Sequence, residues 1–161
     1  MENFIRTSRL KTQKMDRPEL KSYVEKTFKR YLGGVLRKMG HGDTTSEDEL
    51  RGMGRTLFGN KFLGVFAADE RPPSPLEPGY MYIVNTKPRS HGGEHWMGVY
   101  GTEKSGDLLF DSFARKSIIP NWNGLVTELD KDQLDEQQDC GQRTLAFLAT
   151  AYVLGDLAYW V

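Results

Sequence analysis

YMYIVNTKPRSHGGEHWMGVYGTEKSGDLLF, residues 80–110, holds three short apolar runs: YMYIV (80–84), HWMGVY (95–100) and LLF (108–110). Each is of strand length, rich in aromatic, aliphatic or β-branched side chains, and set off by Gly, Asn or Asp. FLGVF (62–66) precedes them, and weaker runs lie near Ile118 and Leu125. Between FLGVF and YMYIV stands RPPSPLEP (71–78), whose prolines forbid helix and central strand alike, so it reads as an exposed connection.

Helical patterns flank these runs. Asp16 and Pro18 supply an N-cap and a first-turn proline, and Leu20, Tyr23, Val24, Phe28, Tyr31 and Leu32 form one apolar stripe that Gly33 and Gly34 should end. The preceding residues 1–15 read as a frayed basic lead, and VLRKMGHGD leads out as a tether. A second helix starts at Thr45 or Ser46, where Ser46 and Glu49 match a capping box; Leu50, Met53 and Leu57 share a face and Gly59 stops it. An acidic stretch, DKDQLDEQQD, then runs into Cys140 and a last apolar helix with Leu145, Phe147, Leu148, Ala151 and Leu154. Helix, strands, then helix is the order of an α+β fold.

The chain has 161 residues, 38% hydrophobic and 27% charged, the composition of one ordinary globular domain rather than a disordered segment. No apolar run approaches the roughly 18–20 residues of a membrane span, and the N-terminal MENFIRTSRLKTQK has no signal-type apolar segment. With Cys140 as its one cysteine the chain forms no intrachain disulfide, which excludes a bridge-stapled secreted fold and makes a reducing compartment the expectation. The zero net charge hides a division: residues 1–42 carry 11 Lys/Arg against 4 Asp/Glu, residues 43–161 carry 11 against 18. A basic head on an acidic body suits docking on that body, binding a polyanion such as nucleic acid, or simply a solvated helix face. The expected division is a basic helix and tether over 1–42 and the main domain over 43–161.

A lone cysteine is most often a small buried hydrophobe. Cys140, however, stands where an acidic loop meets an apolar helix, and exposed N–H groups and the dipole at a helix N-terminus favour thiolate. Gly141 leaves the approach to the sulfur open, as a nucleophile requires. Of three histidines, His41 lies in the tether and His91 in a Gly-flanked loop, both reading as solvated. His95 opens a strand directly after that loop, where scaffolds present catalytic groups; a structural histidine is the alternative. Asp111 ends the next run, LLFD, and adjacent strands would bring it beside His95 as an orienting acid. Glu103 and Asp107 read as solvated turn residues. Oxyanion donors would be the Cys140 N–H and a side-chain amide from Gln133, Gln137, Gln138 or Gln142, among which spacing does not choose. HGGEH (91–95) also fits an inverted zinc-peptidase pattern, but that pattern needs a helix, and here two glycines interrupt it and a strand follows.

IVNTKPRSHGGEHWMGVY (83–100), together with SEDELRGMGRTLFGNKFLGVF (46–66), LLFDSF and DCGQRTLAFL, resembles the adenain family of adenovirus-type cysteine endopeptidases over about residues 45–155. The resemblance implies a mixed central sheet flanked by helices and a papain-like site in the permuted order His, acid, Gln, Cys. His95 matches the general base, Cys140 the nucleophile and Asp111 the acid, which is glutamate in the adenovirus enzymes and aspartate in the related SUMO-protease branch. Gln133 matches the oxyanion glutamine by its distance before Cys140. It further implies cleavage of viral precursor proteins after Gly-Gly or Gly-X sites during maturation, no cofactor for the chemistry, no membrane partner, a monomer, and a place in the virion and host nucleus. The family's activators are DNA and a basic peptide disulfide-bonded to a second cysteine. This chain has no second cysteine, so residues 1–42 are expected to act in that peptide's stead, docking in cis or bridging to DNA. LRGMG (50–54) fits the family's cleavage pattern but falls in a helix; YLGGV in the tether fits less well and is more accessible. A protease that removes ubiquitin-like tags is the alternative within enzymes. A catalytically idle DNA-binding scaffold is the alternative outside them.

Overall fold

The computed structural model describes residues 5, 9, 11–40, 45–86, 95–112, 119, 122–128 and 139–161. Helix α1 spans Arg17–Met39, with the Asp16 carboxylate accepting the Glu19 N–H at 2.9 Å and Pro18 in its first turn. Helix α2 spans Glu47–Phe58 behind a complete capping box, in which Ser46 Oγ accepts the Glu49 N–H and Glu49 Oε1 accepts the Ser46 N–H. Strands β1 (Phe62–Phe66), β2 (Met81–Asn85), β3 (Trp96–Gly101), β4 (Asp107–Phe110) and β5 (Leu125–Val126) follow, and helix α3 covers Cys140–Leu154.

The five strands form one sheet in sequence order. β1 runs parallel to β2 and β4 to β5, while β2–β3 and β3–β4 are antiparallel, so the sheet is mixed and the fold is α+β. Strand alternation sends the sheet's side chains to two clusters. Met81, Ile83, Tyr100, Leu108 and Phe110 meet the helices, where the Phe110 ring stacks on Phe147 at 4.9 Å and Phe28 adds a third ring. Tyr82, Val84, Met97, Val99, Leu109 and Ile119 form a smaller cluster with Phe66, Leu76 and Trp122. Gly98 is the contact point for α3: a Cβ there would stand 3.0 Å from Thr144 Cγ2 and 3.1 Å from Phe147, so a larger residue would push helix and strand apart. Among the described residues no helix is long and apolar enough to cross a membrane.

Three expectations need correcting. First, α1 does not end at Gly33–Gly34 but continues to Met39, stopping at Gly40 with φ 94°. Each interior glycine costs about 1 kcal/mol relative to Ala, yet Val35 carries the buried stripe of Val24, Phe28 and Leu32 one turn further, and its burial offsets that cost. YLGGV is therefore helical, not an accessible tether. Second, the lead before α1 is anchored where it is described: Arg9 Nε donates to Val153 O at 3.1 Å and Thr12 is buried. Third, Asp107 is buried at the start of β4, accepting Ser74 Oγ–H at 2.6 Å and the Leu76 N–H at 2.9 Å. The proline-rich connection has few donors of its own to pair, and Asp107 satisfies two groups at its centre. Asp107→Ala is expected to lower stability by about 2–3 kcal/mol, read as a fall in the urea midpoint at unchanged slope.

α1 packs into the same core cluster as α3 and the sheet. Along it, Arg17 lies over the Trp160 ring at 4.9 Å and Lys21 meets Glu128 at 2.7 Å.

Candidate active site

His95 stands immediately before β3, its carbonyl accepting the Thr86 N–H at 3.0 Å as the β2–β3 ladder runs out. The Gly98↔Phe110 pairing, extended by one residue, sets Asp111 opposite Met97. His95 is two residues from Met97, hence on the same face and diagonal to Asp111, within reach of a ring. His95 Nε2 lies 2.7 Å from Asp111 Oδ1, with the residues 6% and 4% exposed.

The third member arrives on α3. Thr144 Oγ1 donates to Trp96 O at 3.2 Å, tying the helix to the start of β3. Cys140 precedes Thr144 by about one turn, so it lies past the strand's beginning, on the His95 side, where its thiol helps to hold the His95 pKa up. Cys140 is the first residue of α3, as its sequence setting implies, and is 8% exposed. Asp139, at the N-cap, makes no side-chain cap; its Oδ1 accepts Arg143 Nε–H at 3.0 Å instead.

Burial is the largest influence on His95 and pulls its pKa down, but the hydrogen bonds and charges of Asp111 and Cys140 outweigh it, leaving the pKa above 6.5. The site thus favours imidazolium. A raised folded-state value contributes stability that is full below the unfolded pKa of about 6.5 and is lost as pH rises through the folded value. The stability difference between wild type and His95→Gln, measured by urea titration, is therefore expected to shrink as pH rises above 6.5; a difference that grew instead would contradict the shift.

Of the four amides, Gln142 is fully buried and its Nε2 donates to Gly40 O at 3.4 Å, a link to the end of α1. Gln133, Gln137 and Gln138 lie outside the described residues, as do His41, His91 and Glu94. His95 is not on a helix, and among the described residues no group of three or more His, Cys, Asp or Glu is arranged to hold a metal ion.

Gly141 has a different reason for being glycine than an open approach to the sulfur. A Cβ there would overlap Thr45 Oγ1 and stand 3.0 Å from Leu50 Cδ2, so glycine lets the first turn of α3 close onto the start of α2. Thr144 is not among the residues that the sequence nominates; its signal is a β-branched polar residue one turn after the cysteine.

No family model matches the chain. It is similar to the protease of human adenovirus B serotype 3, 40% identical over 78 residues, a match covering 46% of this chain and 36% of that protein. The likeness therefore spans about a third of the relative's length.

Proposed function

We propose that the chain is a cysteine endopeptidase related to the adenovirus protease, with Cys140 as nucleophile, His95 as general base and acid, and Asp111 as the group that orients His95. The observation carrying this reading is one buried imidazole 2.7 Å from the Asp111 carboxylate, beside the start of the helix that opens with Cys140, with Asp111 and Cys140 together holding its pKa up. The partial likeness to a protease supports it.

In the proposed reaction His95 takes the thiol proton and Sγ bonds to the scissile carbonyl carbon. The oxyanion rests on the Cys140 N–H and on Gln133. His95 then gives its proton to the leaving nitrogen as the C–N bond breaks. Water adds to the thioester, its proton passing to His95. The C–S bond breaks and the proton returns to sulfur, leaving a free acid and the enzyme. The proposed substrates are viral precursor polypeptides cut after Gly-Gly or Gly-X. Both such motifs here, LRGMG and YLGGV, lie in helices α2 and α1, so the folded chain does not offer them as extended substrates.

Cleavage of fluorogenic peptides ending in Gly-Gly or Gly-X, with and without DNA, tests the reading. Cys140→Ser and His95→Ala are each expected to lower kcat/KM by at least about a thousandfold. Cleavage that survives Cys140→Ser would end it.

DNA is a proposed partner of residues 1–42. Lys26, Lys29, Arg30, Arg37 and Lys38 are exposed on α1, while its apolar stripe is buried. Binding should weaken as log salt rises, with a slope of about −0.9 for each phosphate contact. Lys26→Glu with Lys29→Glu and Arg30→Glu should flatten that slope, and an unchanged slope in filter binding would remove DNA from this face.

A further inference from the structure

The segment joining α1 to α2 grips the first turn of α3 from both of its ends. At one end, Gly40 O accepts Gln142 Nε2–H. At the other, Thr45 is 4% exposed and its Oγ1 occupies the space where a side chain on Gly141 would begin. That hydroxyl has no hydrogen-bond partner among the described residues. A buried hydroxyl left unpaired is costly, so contact, not polarity, is what the residue supplies there. Thr45 is also tied to the histidine strand: Trp96, the residue after His95, donates its indole Nε1–H to Thr45 O at 3.3 Å. Thr144 Oγ1 closes the circuit by donating to Trp96 O. The strand that His95 precedes, the helix bearing Cys140 and Thr45 thus form one ring of contacts.

We propose that Thr45 is a positioning residue that sets the distance and angle between the Cys140 thiol and the His95 imidazole. Its side chain bears on the backbone one residue after the nucleophile, and its carbonyl holds the indole one residue after the base. The two reactive groups sit on separate elements that no strand pairing joins, so their separation depends on packing at this junction. Because interiors are close-packed, removing the Thr45 side chain lets the first turn of α3 shift toward the vacated space and away from His95. The proposal rests on reading Cys140 and His95 as a reactive pair.

The test is the rate of Cys140 alkylation by iodoacetamide across pH 5 to 9, on the full chain, with thermal melts alongside. Thr45→Ala is expected to slow labelling at pH 6 by about tenfold and to move the profile toward higher pH. Thr45→Ser restores the contact on Gly141 and should return rate and profile to within about twofold of wild type. A merely structural role would lower the melting temperature without moving the pH profile. Should Thr45→Ala not fold, Trp96→Phe removes the indole donor, along with part of the ring, and should move the profile in the same direction. An unmoved profile in the folded variant, or equal losses in Thr45→Ala and Thr45→Ser, overturns the proposal. A wild-type thiol that is itself unreactive at pH 6 overturns the pair, and this proposal with it; a reactive wild type with unaffected Thr45 variants overturns the proposal alone.

Discussion

At pH 6, Cys140 of the wild-type chain is expected to react with iodoacetamide about tenfold faster than Cys140 of a His95→Ala variant. An ordinary thiol at that pH is only about 0.3% thiolate. A neighbouring base that takes up a thiol proton raises the reactive fraction. Part of that gain is offset, because a thiolate made stable by its surroundings is a poorer nucleophile. Two features make the comparison diagnostic. His95→Ala widens access to a sulfur that is nearly buried, so slower labelling cannot be a matter of entry. The gap should also narrow toward pH 9, where an ordinary thiol ionises without a neighbouring base. Equal rates at pH 6 with both proteins folded would remove the activated pair.

A chain beginning at residue 43 is expected to lose the cooperative fold. Val24, Phe28, Leu32 and Val35 are all buried against the sheet and α3. At about 1.5–3 kcal/mol for each such side chain, their loss amounts to roughly 6–12 kcal/mol, the size of a typical domain's whole stability. The apolar faces they cover, Phe110 and Phe147 among them, would be laid bare. Thermal melting by circular dichroism should be broad or absent, and a sharp transition at the wild-type temperature would show that α1 is dispensable to the core. It follows that a regulatory role of residues 1–42 cannot be judged by deleting them, since unfolding would also abolish activity. Substitution of the exposed Lys26, Lys29 and Arg30 keeps the buried stripe and isolates the charge.

How much of this was open to reading from one chain follows from the range of each interaction. The caps at Asp16 and Ser46, the α2 periodicity and the strand runs 62–66, 80–84, 95–100 and 108–110 are legible because capping and alternation are short-range, acting over about four residues or fewer. His95, Asp111 and Cys140 could be nominated for a similar local reason: a strand opening, a strand end and a helix start are recognisable positions, and few residue types do this chemistry. The resemblance to adenovirus-type peptidases chose Gln133 among the four candidate amides; it lies outside the described residues, so its role stays with the proposal.

What neighbours in sequence could not decide was settled by contacts between distant ones. Gly33 and Gly34 are poor helix residues locally, but Val35 finds its place in the core beside α3, and long-range burial carries α1 on to Met39. Asp107 looks like a solvated turn residue until the 71–78 connection, more than thirty positions earlier, folds onto it and donates two hydrogen bonds. Gly141 looks like a gap for a substrate, and the structure fills that gap with Thr45. Periodicity and capping name the elements and the candidate side chains they carry. The meeting of Nε2 with Oδ1 at 2.7 Å, and the placing of Cys140 near enough to act on the same ring, depend on strand register and on helix-to-strand packing across Gly98, which are properties of the whole core and of no single segment.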